Sequence, residues 1–321
     1  MGGAGEGGVL GAGEVTPLES VLQKIARLRT YQRGERRAPH KPLLLLIAIG
    51  ALIRGKEKLP YPEVEKALMP LLKAFAPQVK NRHQPELPYW HLVSDGLWTV
   101  EGSEALPRQA GGFPRTAALR QTQGSLDADL VAVVTTDPVG TELIVERILE
   151  EYFPPTIHED IMAAVGIERP AQRMLRDAPL ATAVIRYRNP RFRENVLRAY
   201  EHQCAATGFR AALGGSYFGC EAAHVRWHAY DGPDDVANGI ALEPTMHKLF
   251  DAGAWTLTDD RRILVSSEFT GSEQAISLLR NLHGKPLKDP LPGESSVSCK
   301  FIRWHREPEF GGVFRLPALP L

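Results

Sequence analysis

The sequence predicts an α+β protein with two domains, a mainly helical N-terminal domain that contains a small sheet and a C-terminal domain built on two strands and a helix. Three observations support this. Apolar residues recur at helical spacing through much of the first half. Short apolar runs separated by turn residues follow in two places, and the second pair precedes a helical segment. A length of 321 residues fits two domains.

The helices of the first half are predicted from periodicity and from proline placement. Pro42 lies in the first turn of the second predicted helix, where its missing N–H leaves no helical hydrogen bond unmade. The runs Tyr89–Val93 and Leu97–Val100 flank Ser94-Asp95-Gly96, which predicts a β-hairpin. The predicted helices are Leu18–Tyr31, His40–Ile53 and Leu143–Glu151, the last ending before Pro154-Pro155.

The domain limits are predicted from changes in composition. Residues 1–14 are glycine-rich, and we expect them to be disordered. The N-terminal domain is predicted over residues 15–165 and the C-terminal domain over residues 186–321. Residues 166–185, which include Glu168–Pro179, form the predicted linker.

Composition indicates an ordinary globular protein, with 43% hydrophobic and 24% charged residues. The longest apolar run, Pro42–Ile53, is too short for a membrane span, and the start of the chain lacks the basic region and apolar core of a signal peptide. We therefore expect a cytoplasmic protein with no membrane partner. Its three cysteines should be reduced.

The formal net charge of zero conceals two regions of opposite sign. Residues 20–125 contain 17 Lys and Arg against 8 Asp and Glu, a difference of +9. Residues 126–183 contain 4 against 11, a difference of −7. A basic region of this kind is typical of nucleic-acid binding, although a solvated charged face gives the same pattern.

A strand pair followed by a helix is predicted in the C-terminal half. Cys220–Val225 is a short, mostly apolar run, and the Asp231-Gly232-Pro233 turn follows it. After Pro244, apolar side chains recur at helical spacing up to Gly253, which suits a helix C-cap. This ββα order places His224 near the end of a strand.

Three side chains of this segment have the chemistry that phosphodiester hydrolysis requires. His247 and Asp251 are four residues apart on the predicted helix and share one face, where an imidazole and a carboxylate can hold a divalent metal. His224 is separate from them, and an imidazole with an ordinary pKa near ~6.5 can accept a proton from water at cellular pH. A metal and a base are the two components of such a reaction.

The order of His224, Asn238 and His247, with gaps of 14 and 9 residues, resembles the HNH nuclease motif of bacterial restriction enzymes. The flanking text "EAAHV" and "NGIALEPTMHKLFDAG" resembles it as well. The resemblance implies that His224 is the general base and that His247 is a metal-binding or catalytic residue. It implies that Asn238 either braces the loop bearing His224 or binds the metal, and that Asp251 is a second helix ligand.

The metal ligands depart from the HNH pattern at one position. Many HNH enzymes have Asp or His immediately before the base, where this chain has Ala223, and Glu221 is the nearest substitute in sequence. The expected cofactor is a divalent metal ion such as Mg²⁺ or Mn²⁺. Three cysteines cannot form a four-thiolate zinc site, so we expect Cys204 and Cys220 to be packed in the core.

The N-terminal half has a second resemblance. Its segments "RAPHKPLLLLIAIG", "PELPYWHLVSDGLWTV" and "EYFPPTIHEDIMAAVGI" resemble the sulfur-binding domain of phosphorothioate-dependent type IV restriction endonucleases of the McrA kind. Those enzymes cut DNA in which sulfur replaces a non-bridging phosphate oxygen. The implied partner is double-stranded DNA that carries phosphorothioates, and a homodimer is compatible with the sequence.

Recognition of sulfur requires a small apolar surface beside phosphate-binding cations, because sulfur is larger and softer than oxygen and accepts hydrogen bonds poorly. Family members commonly have an aromatic residue where this chain has Leu87. The resemblance implies that His40 and Lys41 grip the modified phosphate. The candidate sulfur-recognition residues are Leu87, Pro88, Tyr89, His91, Arg108 and Arg115.

Two polar segments are further candidates for DNA contacts. One is a basic cluster suited to phosphates, and the other is a loop whose side chains have donor patterns that read purines in the major groove. The predicted residues are Gln32, Arg33, Arg36 and Arg37, together with Lys80, Asn81, Arg82, His83 and Gln84.

Three functional classes follow from these motifs. The preferred interpretation is a modification-dependent DNA endonuclease that recognises phosphorothioated DNA. The second is an HNH endonuclease whose N-terminal domain reads methylated or unmodified DNA, and the third is a DNA-binding regulator with an inactive HNH fold. The intact His224, Asn238 and His247 argue against the third. The lack of an obvious aromatic cage for a flipped base disfavours methylcytosine reading.

Overall fold

The computed structural model describes residues 15–28, 32–33, 36–37, 39–76, 83–108, 112–168 and 190–321. The predicted N-terminal segment and most of the predicted linker lie outside these ranges. Before residue 168 the described helices are α1 (Pro17–Ala26), α2 (His40–Ile53), α3 (Tyr61–Phe75), α4 (Glu86–His91), α5 (Thr116–Leu119), α6 (Ala128–Thr136), α7 (Pro138–Tyr152) and α8 (His158–Val165). The helix predicted at residues 40–53 is confirmed, whereas α1 ends earlier than predicted and α7 is longer at both ends.

The strands of the N-terminal half are β1 (Gln32–Arg33), β2 (Arg36–Arg37), β3 (Leu59–Pro60), β4 (Trp98–Val100) and β5 (Gln123–Leu126). β1 pairs with β2, and a three-stranded antiparallel sheet has the order β3-β5-β4. The hairpin predicted around Ser94-Asp95-Gly96 is wrong. Tyr89–His91 belongs to α4, a 3-10 helix follows at Leu92–Asp95, and β4 pairs with β5 instead.

The central element of the N-terminal half is α2, whose residues from Pro42 to Ala51 are all buried. Gly50 lets α8 approach closely, because a Cβ at this position would lie 2.3 Å from the carbonyl oxygen of Val165. Arg54 donates hydrogen bonds to the carbonyl oxygens of Val165 and Gly166, each at 2.9 Å. Steric fit and these end caps together hold α8 against α2.

The C-terminal half begins with α9 (Pro190–Ala199) and contains β6 (Ala211–Leu213), β7 (Ser216–Phe218), β8 (Glu221–His224), β9 (Gly239–Leu242), α10 (Pro244–Asp251), β10 (Trp255–Leu257), β11 (Ile263–Val265), α11 (Glu273–Leu282) and α12 (Cys299–Arg306). β8 and β9 are antiparallel and precede α10. The predicted ββα order is therefore confirmed.

The described residues form two hydrophobic cores, and the first core includes residues from both predicted domains. The first core contains the apolar residues of α1 to α8 and also Trp227, Tyr230, Trp304 and Val313. Trp227, Tyr230 and Trp304 contact each other edge to face, with ring centroids 5.4–5.9 Å apart. The C-terminal half thus packs an aromatic cluster against the helices of the N-terminal half.

The second core lies around β8, β9 and α10 and contains Cys204 and Cys220. Both are buried free thiols, as expected from the sequence, and Cys299 is also free. Across the described ranges, the helices are too short or too polar to cross a membrane.

Candidate active site and nucleic-acid interface

His224 is the last residue of β8 and pairs in register with Gly239 of β9. Its Nε2 lies 2.8 Å from Oδ1 of Asp234, and its ring stacks on Phe192 of α9 with centroids 3.9 Å apart. In the tautomer in which Nε2–H donates to the Asp234 carboxylate, the lone pair resides on Nδ1. This arrangement orients the imidazole, and it allows the ring to accept a proton at Nδ1.

Asn238 is fully buried, and its side chain bonds to the loop that follows β8. Its Oδ1 accepts from the backbone N–H of Arg226 at 2.8 Å, and its Nδ2 donates to the carbonyl oxygens of Arg226 and Pro233, both at 3.0 Å. The same loop requires glycine at position 232, because a Cβ on Gly232 would lie only 1.9 Å from the carbonyl oxygen of Arg226. Of the two roles that the motif implies, this geometry favours bracing over metal binding.

We expect Asn238→Ala to lower the free energy of unfolding by about 2–4 kcal/mol, because the fully buried amide and its three part-buried hydrogen bonds to the backbone are lost. Urea denaturation would measure the loss. Asn281→Ala is a matched control, since Asn281 is exposed and its amide bonds only to the nearby Ser277 hydroxyl. Equal stability of the Asn238→Ala protein and the control would contradict the bracing role.

His247 lies between two carboxylates. Its Nδ1 is 2.7 Å from Oε2 of Glu221 on β8, and its Nε2 is 3.2 Å from Oδ2 of Asp251, one turn later on α10. The two carboxylates differ in exposure, since the Glu221 side chain is 46% exposed and that of Asp251 only 1%. Solvent therefore reaches the Glu221 side of the imidazole, and the Asp251 side is closed.

Both oxygens of Asp251 already have partners. Oδ1 accepts from the indole Nε1 of Trp227 at 3.0 Å, and Oδ2 accepts from the hydroxyl of Thr156. A buried carboxylate with this set of donors orients its histidine rather than binding a metal directly. This placement favours an orienting role for Asp251, and its role as a helix ligand stays a prediction.

The residues present fit a divalent ion with two protein ligands, Glu221 and the Nδ1 of His247. In the described ranges no group of three or more His, Cys, Asp and Glu side chains is arranged to hold a metal. A small set of protein ligands suits Mg²⁺, which commonly keeps several waters and binds substrate phosphate oxygens as well.

The charge state of His247 follows from its two partners. Burial alone would lower the pKa of His247, but the carboxylates of Asp251 and Glu221 outweigh it and raise this pKa to about 9. The hydrogen bond from His247 in turn lowers the pKa of Glu221. Without metal, His247 is therefore an imidazolium at neutral pH.

We expect the metal-free protein to lose stability through His247 between pH 6.5 and 9. The pKa in the folded protein, about 9, exceeds the ordinary value of 6.5, so the stabilisation is complete below 6.5 and is lost as the pH rises through 9. Urea unfolding in EDTA at several pH values would measure it. In His247→Gln the free energy of unfolding should no longer decrease between pH 6.5 and 9. An unchanged decrease in that variant would show that a group other than His247 causes it.

The proposed phosphate-gripping pair, His40 and Lys41, begins α2. Burial lowers the pKa of His40 to about 4, with a further contribution from the neighbouring His83, so this imidazole is neutral at physiological pH. Lys41 pairs with Asp95 at 2.5 Å, with both side chains largely buried. Burial thus leaves His40 uncharged, and Asp95 partly neutralises the charge of Lys41; that this pair grips a phosphate stays a prediction.

The candidate sulfur residues of α4 separate into surface and core. Leu87 is half-buried and His91 is exposed, one turn apart on α4, with the buried Pro88 between them. Tyr89 is fully buried, and its hydroxyl bonds to Thr122 at 3.1 Å. A duplex cannot reach Tyr89, which corrects its assignment as a contact to sulfur.

Aromatic and cationic side chains surround His91. The ring of Phe113 lies 5.8 Å from that of His91 and 6.3 Å from that of Trp90, and the Arg108 guanidinium lies 5.7 Å from the Trp90 ring centroid. The structure thereby places Arg108 beside α4. Arg115 is exposed at the start of α5, where its side chain can reach solvent.

The other predicted DNA contacts are only partly described. The backbone of Gln32, Arg33, Arg36 and Arg37 forms the β1–β2 ribbon. Lys80, Asn81 and Arg82 lie outside the described residues. Of the two that complete this loop, Gln84 is exposed, whereas His83 is buried against His40.

Sequence reasoning missed Asp234, Thr156 and Phe113. The sequence contains one weak indication of Asp234, because this carboxylate directly follows the predicted turn after His224. Thr156 is 95 residues from its partner Asp251, and Phe113 lies in a loop, so neither could be found from local spacing.

The class of protein follows from the ββα fold and from its two histidines, and comparison with known families agrees. Residues 204–258 match the HNH endonuclease family model, and residues 18–170 match that of the ScoMcrA-like DNA sulfur-binding domain. The family models thus identify an HNH endonuclease domain in this chain, which supports a DNA-hydrolysing enzyme. In particular, it carries a ScoMcrA-like DNA sulfur-binding domain followed by an HNH endonuclease domain.

Several solved structures are similar to the chain. The sulfur-binding domain of ScoMcrA complexed with phosphorothioated DNA is 24% identical, with 46% of this chain and 94% of that chain covered and a TM-score of 0.41. The type IV phosphorothioation-dependent restriction endonuclease ScoMcrA is 21% identical, covering 46% and 35%, with a TM-score of 0.37. The modification-dependent TagI restriction endonuclease is 23% identical, covering 48% and 46%, with a TM-score of 0.32. No curated protein matches the chain.

Proposed function

We propose that this protein is a modification-dependent restriction endonuclease that binds phosphorothioated DNA through its N-terminal domain and hydrolyses a phosphodiester bond at the HNH site. The observation that carries the proposal is that strand β8 bears both His224, which pairs with Asp234, and Glu221, which pairs with His247. A proton acceptor and a metal-binding pair on one ββα unit are the two components that hydrolysis of a phosphodiester needs.

His224 is the general base. Its Nδ1 takes a proton from a water molecule as the water oxygen bonds to phosphorus and the bond from phosphorus to the leaving oxygen breaks. The carboxylate of Asp234, 2.8 Å from Nε2, stabilises the imidazolium that forms. Asn238 holds the loop that carries Asp234, so the base and its partner keep their geometry.

Glu221 and His247 are the residues that would hold a divalent ion. When bound, such an ion neutralises charge on the phosphate and on the leaving oxygen. His247 contributes Nδ1 because its Nε2 faces the buried Asp251. Glu221 would supply the ligand that many HNH enzymes have immediately before the base, where this chain has Ala223.

The substrate preference rests on α4 and the residues beside it. The half-buried Leu87 supplies apolar surface one turn from His91, and the exposed Arg108, beside Trp90, supplies positive charge nearby. An apolar group beside a phosphate favours the less strongly hydrogen-bonded sulfur over oxygen.

A direct test uses duplexes of identical sequence with and without one phosphorothioate, incubated with the full chain and Mg²⁺ or Mn²⁺. We expect metal-dependent cutting of the phosphorothioate duplex only. Equal cutting of both duplexes would favour the second interpretation, an HNH endonuclease with another DNA specificity. Absence of cutting with every divalent metal and duplex would contradict the proposed activity.

A further inference from the structure

The buried carboxylate of Asp251 is held by donors from both domains. Trp227 of the nuclease domain donates to Oδ1 at 3.0 Å, and Thr156 of the N-terminal domain donates to Oδ2. The same Oδ2 is 3.2 Å from Nε2 of His247. The orientation of His247 thus depends on a side chain that belongs to the DNA-recognition domain.

The position of Thr156 is set by the fold of the recognition domain. It lies in a short 3-10 helix, Pro155–Ile157, directly before α8, and the Ile157 N–H bonds to the Pro154 carbonyl at 3.2 Å. α8 is itself clamped to α2 through Arg54, and α2 begins with the phosphate-gripping candidates His40 and Lys41. The hydroxyl therefore moves with the recognition domain rather than with the nuclease domain.

Other contacts dock the two domains next to this hydrogen bond. Arg315 donates to the carbonyl oxygens of Ala74 and Ala76 at the end of α3, the latter at 3.1 Å, and also to that of Ala252. Lys248 of α10 also pairs with Asp160 of α8 at 2.9 Å. Both side chains are about half exposed, so this ion pair adds little to the stability of the interface. Buried Trp227 is part of the first core.

We propose that Thr156 is a positioning residue of the nuclease centre, so that the HNH site is complete only when the recognition domain is docked against it. The inference rests on the proposed function. The hydroxyl of Thr156 fixes Oδ2 of Asp251, Asp251 fixes the Nε2 side of His247, and the Nδ1 of His247 consequently faces Glu221. Loss of the hydroxyl leaves a buried carboxylate with one donor fewer, which loosens the imidazole that it orients.

The test compares Thr156→Val, which removes the hydroxyl, with Thr156→Ser, which keeps it, in the full chain. We expect Thr156→Val to lower kcat on a phosphorothioate duplex with Mn²⁺ by roughly 10–100-fold, the usual effect of losing such an outer partner, with KM and DNA affinity unchanged. Thr156→Ser should restore most of kcat. Thr136→Val is the matched control, because the exposed Thr136 hydroxyl bonds only within α6. Thr156→Ala gives the same comparison if the valine methyl disturbs folding.

A second readout does not depend on activity. The indole N–H of Trp227 donates to the same carboxylate, so its amide-region NMR signal in the metal-free protein should shift in Thr156→Val but not in Thr136→Val. Trp227→Phe identifies the signal by its disappearance. Wild-type kcat in Thr156→Val, equal losses in the valine and serine variants, or an unmoved Trp227 signal would overturn the inference. If the wild type cuts no duplex, the proposed function fails, and the Trp227 signal still decides whether the interdomain contact exists.

Discussion

His224→Ala is expected to reduce the cleavage rate of a phosphorothioate duplex by roughly 10²–10⁴-fold, which is the usual contribution of a general base. The imidazole is held by stacking on Phe192 and by its bond to Asp234, and the alanine side chain has no group that can accept a proton. Affinity for DNA should be unchanged, because the candidate phosphate contacts lie in the N-terminal domain. Single-turnover cleavage and fluorescence anisotropy would separate the two quantities.

Two further variants make this test specific. Asp234→Asn keeps the shape of the side chain but removes the charge that stabilises the imidazolium, so we expect a smaller loss of rate than in His224→Ala. His202→Ala is the matched control, because His202 stacks on Tyr217 in the same domain. A normal cleavage rate in His224→Ala would remove His224 from the mechanism.

The full chain with His224→Ala is expected to bind a phosphorothioate duplex about tenfold or more tightly than its all-oxygen counterpart, the discrimination that one apolar contact can supply. Measurement in this inactive background prevents cutting. The full chain is required because Trp227 and Trp304 complete the core of the N-terminal domain. Phosphate contacts contribute equally to both complexes, so increasing salt should weaken both with similar slopes while the ratio of affinities persists.

Leu87→Ala should decrease this ratio, because it removes apolar surface from α4 while leaving the cations in place. Val93→Ala is the matched control, since Val93 is also partly exposed and lies in the next turn. Equal affinity of the parent protein for both duplexes, measured over several flanking sequences, would contradict recognition of sulfur.

The nuclease motif was largely accessible from the sequence. Strand β8, strand β9 and helix α10 are continuous in sequence, so the spacing of His224, Asn238 and His247 reflects local geometry directly. The two partners of Asn238 lie within the adjacent loop. Short-range structure of this kind follows from turn chemistry and periodicity.

The hairpin prediction failed where tertiary packing outweighed local preference. Tyr89, Trp90 and Val93 favour strands, but Tyr89 is buried in α4 against Tyr61 and Trp98, with ring centroids 5.0 and 5.7 Å apart. The partner of β4 is β5, which lies more than twenty residues further along the chain. Propensity within a short window cannot contain that pairing.

The sequence by itself determined the class of chemistry, the order of the ββα unit and the apolar helix α2, because these depend on residue types at short spacing. Only the tertiary structure decided which groups surround His247. Exposure separates Glu221 from Asp251, and a hydroxyl 95 residues away completes the environment of Asp251. The charge of a side chain and its access to solvent are set by whatever packs around it, and those neighbours come from distant parts of the chain.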